Sequence, residues 1–246
     1  MSNTPNTSLS VESAVAQLQD ADISKRYYAA WCLGSMQDPK SIDALVLALK
    51  DETDRTNLGG YPLRRKAAEA LGRIGDRRAV PALIQALECE DLFLRETAAW
   101  ALSRIGDPSA SAALLTLLAS DQTQPYEVLI ETLGDLRTVE AVPLIRPFLN
   151  DASERLRCAA ARALFQLTGD LTCIDLLLTT LHSSDINMRR AALFDLAETG
   201  HLPIVSEIAT AEVTANLKLF ALKQLVDSAP EDASLDSVLK VIDDLL

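Results

Sequence analysis

Histidine is nearly missing from this chain: His182 and His201 are the only two. They stand at dissimilar places in the repeat described below, and neither is followed by Glu. A His-rich metal site is therefore not expected, and the His-Glu pairs with which helical-repeat iron hydroxylases hold metal are absent. No Walker A, GxGxxG, GxSxG or HExxH segment occurs, so the sequence offers no motif for phosphate cradling, serine hydrolysis or zinc proteolysis. Cysteine is sparse as well. Cys32, Cys89, Cys158 and Cys173 form no CxxC pair, which reads as free thiols in a reducing compartment. Glycine (9) and proline (10) are too few for collagen-like or long disordered stretches. An excess of basic charge is lacking too. The net charge is −12, and phosphate contacts need a basic footprint, so nucleic acid is not an expected partner. No apolar run reaches membrane-spanning length, so no membrane insertion is expected. Met1 to Ser10 is polar and uncharged, unlike a secretory signal, and is expected to be a flexible terminus. The expectation is a soluble, cytoplasmic protein. Aromatics make up only 4% of the chain, so each one that appears is informative.

What the chain has is internal repetition. Arg64-Arg65-Lys66-Ala67-Ala68-Glu69-Ala70-Leu71-Gly72-Arg73-Ile74-Gly75-Asp76 returns 31 residues later as Arg95-Glu96-Thr97-Ala98-Ala99-Trp100-Ala101-Leu102-Ser103-Arg104-Ile105-Gly106-Asp107. The register continues at Tyr126, Arg157 and, one residue late, Arg189. Arg26 opens an equivalent unit 38 residues before Arg64, so seven extra residues have entered there. Each unit reads as two helices. The first resembles Ala79-Val80-Pro81-Ala82-Leu83-Ile84-Gln85-Ala86-Leu87, where proline suits a first turn. The second starts near the Arg and stops at Gly-Asp. The expected fold is all-α: a curved α-solenoid of HEAT-like helix pairs, with six to seven repeats of about 31 residues. It forms one domain over residues 11–246, with an inserted loop at 51–62 and an amphipathic capping helix at 234–246.

Counting the Arg-like position as zero, positions three, four and seven of every second helix are apolar, for example Ala67, Ala68 and Leu71. That stripe is the predicted core. Positions one and five form another stripe: Tyr27/Trp31, Arg65/Glu69, Glu96/Trp100, Glu127/Glu131, Cys158/Arg162 and Arg190/Phe194. Aromatics and charges mix here. Such a surface suits a flat, conjugated, partly charged ligand: rings stack, Arg pairs carboxylates, Glu accepts from N–H groups. The alternative is a solvated charged face with a few packing aromatics. Two departures from the repeat add to the picture. The insertion ends in Gly59-Gly60-Tyr61-Pro62, and long loops on repeat scaffolds tend to be functional. In Gln124-Pro125-Tyr126-Glu127, Tyr126 replaces the usual Arg. An inert insertion and plain repeat drift are the corresponding bland readings. Cys158 lies in the stripe without a His to activate it, which favours an idle thiol over a nucleophile.

Several segments resemble a known family. They are Tyr27-Tyr28-Ala29-Ala30-Trp31, Asp51-Glu52-Thr53-Asp54-Arg55-Thr56 with Gly59-Gly60-Tyr61-Pro62-Leu63-Arg64-Arg65, Gln124-Pro125-Tyr126-Glu127, and residues 159–170. Together they are similar to the E subunit of E/F-type phycobilin lyases, the phycocyanobilin lyase alpha-type subunit in particular. The likeness runs from about Val11 to Leu246, and the Gly-Gly-Tyr-Pro-Leu-Arg-Arg segment is its specific part. The resemblance implies a heterodimer with an F-type lyase subunit that binds phycocyanobilin as substrate. It implies delivery of the bilin to a cysteine of the apo-phycocyanin α subunit, as a thioether, in the cyanobacterial cytosol near phycobilisomes. No cofactor and no metal are implied. On this reading Tyr27, Trp31, Tyr61, Trp100 and Tyr126 contact the tetrapyrrole, and Arg64, Arg65 and Arg95 hold its propionates. Asp54, Glu69 or Glu127 contacts pyrrole N–H groups or favours the protonated bilin.

Three other readings fit the same repeats. One is a non-catalytic scaffold that docks phycobiliproteins during antenna assembly or degradation, and another is a HEAT adaptor unconnected with pigments. The third is a lyase for another bilin, or an isomerising lyase.

Overall fold

In the computed structural model, residues 9–245 are described. Residues 1–8 of the expected terminal segment, and Leu246, lie outside them. The described residues contain fifteen α-helices and no strand, and their contacts group into two compact units, 1–132 and 133–246.

Unit 1 holds α1 (Val11–Gln17), α2 (Ile23–Met36), α3 (Ile42–Ala48), α4 (Pro62–Ile74), α5 (Val80–Ala86), α6 (Leu92–Ile105), α7 (Ser111–Leu118) and most of α8 (Tyr126–Asp135). The long helices α2, α4 and α6 are the second helices of successive pairs. α4 lies between α2 and α6, and α3 and α5 pack behind α4 and α6. Unit 2 continues with α9 (Val142–Ile145), α10 (Glu154–Thr168), α11 (Thr172–Leu181), α12 (Ile186–Glu198), α13 (Val205–Thr210), α14 (Ala215–Ser228) and α15 (Asp236–Leu245). α15 packs on α13 and α14, where it buries Val238.

The Gly-Asp signal does two jobs. Gly75 and Gly106 end α4 and α6 at φ 74° and 70°, a left-handed turn that costs glycine nothing. The Asp that follows caps the next short helix: Asp76 accepts from Arg78 N at 2.9 Å and Asp107 from Ser109 N at 2.9 Å. The predicted core stripe is fully buried. Ala29, Ala30, Leu33, Ala67, Ala68, Leu71, Ala98, Ala99 and Leu102 are all 0% exposed, and their counterparts in α8, α10 and α12 are buried too.

The Arg that defines the repeat turns out to be a structural tie. Arg95 Nη1 donates to Cys89 O (2.7 Å) and Glu90 O (3.1 Å). Arg157 treats Asp151 O and Ala152 O in the same way, and Arg189 treats Ser183 O and Ser184 O. In each case the carbonyls stand six and five residues back, in the turn between the paired helices. They are polar groups that the turn leaves without a helical partner. Arg64 holds the end of α3 instead, donating Nε to Leu49 O at 2.7 Å across the insertion.

Neighbouring second helices meet through small residues. A Cβ on Gly72 would fall 2.7 Å from Ala101 Cα and 2.9 Å from Trp100 Cζ3, and one on Gly34 would fall 2.8 Å from Ala70 Cα. In unit 2 Gly134 meets Ala163 in the same way. Gly72→Ala should therefore push α4 and α6 apart. It is expected to cost about 1–3 kcal/mol in urea unfolding, the usual range for overpacking, and to shift the Trp100 fluorescence. A variant as stable as the parent with unchanged emission would contradict this contact.

Candidate functional site

The open side of α2, α4 and α6 forms a grid. At position one stand Tyr27, Arg65 and Glu96, at position two Tyr28, Lys66 and Thr97, and at position five Trp31, Glu69 and Trp100. Each is exposed or half-buried. Tyr27 is 41% and Trp31 44% exposed, large values for side chains of that size. Trp31 stacks on Tyr28 with ring centroids 5.6 Å apart. A hollow of about 190 Å³ opens between the three helices, lined by Tyr27, Pro62, Arg65, Lys66, Glu69 and Thr97.

Beside it lies a cleft of about 540 Å³ between the insertion and the start of α6, walled by Arg55, Leu58, Gly60, Arg65, Asp91 and Phe93. That volume lies within the range of about 300–1,000 Å³ usual for small-molecule sites. The insertion is closed on itself. Thr56 N donates to Gly60 O (2.8 Å), and Gly60 N donates to Thr56 Oγ1 (2.9 Å). Leu58 is left 98% exposed at the tip.

Asp91 joins these parts. Its nearly buried carboxylate accepts Arg65 Nε at 2.7 Å and Arg65 Nη2 at 2.6 Å. It also accepts Tyr61 N at 2.9 Å and caps α6 at Phe93 N, 3.0 Å. Burial raises the pKa of this carboxyl, but the bonds from Arg65 and Tyr61 N and the Arg65 charge outweigh it, leaving the group below the ordinary carboxylate range. The Arg65 guanidinium lies over the Phe93 ring, 4.8 Å from its centroid. Lys66 is bonded to Glu69 and sits 5.3 Å from the centroid of Tyr27. Glu69 in turn receives Arg73 Nη2 at 2.7 Å.

The structure thus brings Tyr27, Trp31, Arg65, Glu69 and Trp100 onto one face of unit 1. Glu127 is exposed at the equivalent first position of α8, and Tyr126 is half-buried, donating its hydroxyl to Gln122 O at 3.2 Å. Four other expected site residues are corrected. Arg95 is only 8% exposed, and its guanidinium also serves Gln124 Oε1 (3.0 Å) and Thr123 O (2.9 Å), so its donors are committed to the chain, and it borders a separate cleft of about 530 Å³ between α5 and α7 rather than the open face. Arg64 is turned to Leu49 O and covers the Tyr61 ring at 4.7 Å. Tyr61 is therefore buried, with burial raising its phenol pKa. Asp54 is buried as well, and its Oδ2 accepts Leu63 N at 2.6 Å, which caps α4.

The expected stripe also fails in α10, where Cys158 and Arg162 are buried, while in α12 Arg190 is exposed and Phe194 half-buried as expected. Arg162 is enclosed by Asp135 (2.6 Å), Glu198 (2.5 Å) and Asp195 (3.8 Å). The Cys158 thiol is pushed up by burial, which leaves it a poor nucleophile. Tyr28, Lys66, Asp91 and Phe93 went unread in the sequence. Position two was legible as part of the same face, because it lies three residues before position five.

A family model for PBS lyase HEAT-like repeats matches residues 25–51, and one for HEAT repeats matches residues 61–127. The phycocyanobilin lyase subunit alpha of Synechocystis sp. is 50% identical over 235 residues, covering 89% of this chain and 86% of that protein. The chain belongs to the phycocyanobilin lyase alpha-subunit family. The bilin biosynthesis protein PecE of Nostoc sp. is 45% identical, covering 97% of this chain and 96% of its own. Among solved structures, a chain from the complex of CpcE and CpcF of phycocyanin lyase from Nostoc sp. superposes with a TM-score of 0.90. Its identity is 43%, covering 100% of this chain and 97% of that one. Membership of a lyase family fits a surface that carries rings and charges without a nucleophile of its own.

The division between structural and exposed residues is measurable. Arg95→Met is expected to lower unfolding free energy by about 2–4 kcal/mol, because four acceptors lose a buried cation. Its exposed neighbour variant Glu96→Gln should stay within about 0.5 kcal/mol. Equal effects in urea titration would refute the assignment of Arg95.

Proposed function

We infer that this chain is one subunit of a heterodimeric lyase that binds phycocyanobilin and joins it to a cysteine of the phycocyanin α subunit. The observation that carries this reading is the open row of Tyr27, Trp31, Arg65, Glu69 and Trp100 on three adjacent helices. It stands in a chain half identical to a phycocyanobilin lyase subunit. The partner is an F-type lyase subunit, a reading supported by the likeness to a chain of the CpcE–CpcF complex. The protein works in the cytosol, and the bilin is its substrate rather than a cofactor.

The reaction is an addition. The acceptor's thiolate forms a C–S bond with the ethylidene carbon of ring A. The electron pair of that double bond passes into the conjugated system, and a proton returns to the tetrapyrrole. Nothing is oxidised and no group leaves. The acceptor supplies the nucleophile: Cys158 and Cys173 here are buried with raised thiol pKa values, Cys32 is buried, and the half-buried Cys89 borders neither the hollow nor the cleft of the open face.

The subunit therefore accelerates by holding. Trp31, Tyr27 and Trp100 stack on the rings and exclude water, fixing ring A for attack. Of the three carboxylates expected to act, Glu127 stands exposed at the head of α8 and favours a positively charged, more electrophilic bilin, while Glu69 is taken up by Lys66 and Arg73. Asp54 does not take part.

Likeness to PecE at similar identity keeps a second bilin or acceptor in view. Coexpression with candidate F-type subunits, a bilin-synthesis system and separate acceptors decides between them. A fluorescent, zinc-staining phycocyanin α chain is expected. With purified heterodimer, free bilin should give a red absorption band that Trp31→Ala and Trp100→Ala weaken, with transfer at least about tenfold slower. Binding of finished phycobiliprotein without any bilin transfer would leave the scaffold reading standing instead.

A further inference from the structure

We propose that Arg65 and Lys66 form a two-point clamp for the two propionate carboxylates of the tetrapyrrole, straddling the middle helix of the open face. The proposal rests on the bilin reading above and adds to it which cations hold the ligand and why two are needed.

The geometry starts from consecutive placement. Neighbouring residues on an α-helix point about 100° apart. On α4, which lies between α2 and α6, this sends the two heads in opposite directions. Arg65 leans to α6, where Asp91 and Phe93 receive it. Lys66 leans to α2, over Tyr27. Both heads line the hollow between the three helices, and Arg65 also walls the larger cleft.

Each cation is held from behind and keeps donors in front. Asp91 takes Nε and Nη2 of Arg65, which leaves Nη1 for a ligand on a side chain 32% exposed. Glu69 and the Tyr27 side chain take Lys66 donors and leave one of its three protons for a ligand. Burial pulls the Lys66 pKa down, but the Glu69 bond and charge more than offset it, so the ammonium stays charged. Cations fixed in this way lose little freedom on binding an anion.

The local charges balance: Arg65, Lys66 and Arg73 stand with Asp91, Glu69 and the exposed Glu96, so the attraction for a carboxylate comes from the two fixed cation heads themselves. The aromatic rings of Tyr27 and Phe93 flank the pair, so carboxylates at the two heads would lay a conjugated body across apolar surface.

The test compares phycocyanobilin with its dimethyl ester, using the full chain with its F-type partner and the red absorption band as readout. The wild type is expected to bind the diacid at least about tenfold more tightly than the diester. Arg65→Met and Lys66→Met should each cost the diacid about three- to tenfold in affinity and leave diester binding unchanged. Arg65→Lys and Lys66→Arg, which keep the charge, should restore most of it.

Equal losses for diacid and diester would overturn the clamp, as would equal affinity of the wild type for both, while leaving the bilin site intact. Failure of the wild type to bind either form would overturn the bilin reading itself. If Arg65→Met does not fold because Asp91 loses its partner, Lys66→Met carries the same comparison, since Glu69 keeps Arg73.

Discussion

One nearly buried carboxylate holds the working end of this molecule together. Asp91 caps α6, fixes the last backbone N–H of the insertion at Tyr61, and grips the Arg65 fork. A charge taken this far out of water is tolerated only when its oxygens are well supplied with donors. Here those donors come from the end of the insertion, the first turn of α4 that follows it, and the start of α6. The seven-residue insertion is anchored by the same group that orients the cation next to it. Loop, helix start and guanidinium thus form one assembly.

The same economy governs the repeat arginines. A turn between paired helices leaves carbonyls without partners, and an arginine at the head of the second helix supplies them. Tyr126 stands at that position in α8, and its hydroxyl reaches back to Gln122 O. Tyr126 therefore fills the place of a tie.

These ties explain what the sequence showed and what it hid. The all-helical repeat, the buried Ala and Leu stripe and the Gly-Asp stops follow from local patterning, and each stands where the periodicity placed it. Arg64 and Arg95 were misread because arginine has the same letter whether it meets a propionate or a carbonyl. Recurrence of Arg at the head of most second helices was the clue, since turn carbonyls in need of a donor recur with the repeat and the contacts of a single ligand do not. Cys158 and Arg162 were misplaced because helical phase alone cannot show that Asp135, Asp195 and Glu198 close over that part of α10. Asp91 escaped notice because it reads as an ordinary N-cap. Only coordinates reveal that the cap has a second client 26 residues upstream.

The Gly34–Ala70 and Gly72–Ala101 approaches carry a last consequence. With no side chain between them, the three helices have almost no freedom to slide or spread. The surface above them therefore behaves as a ruler: ring-bearing rows on α2 and α6 stand a fixed distance either side of the polar ridge of α4. A guest must match that gauge, so selectivity in such a surface comes from the guest's span more than from the strength of any one contact.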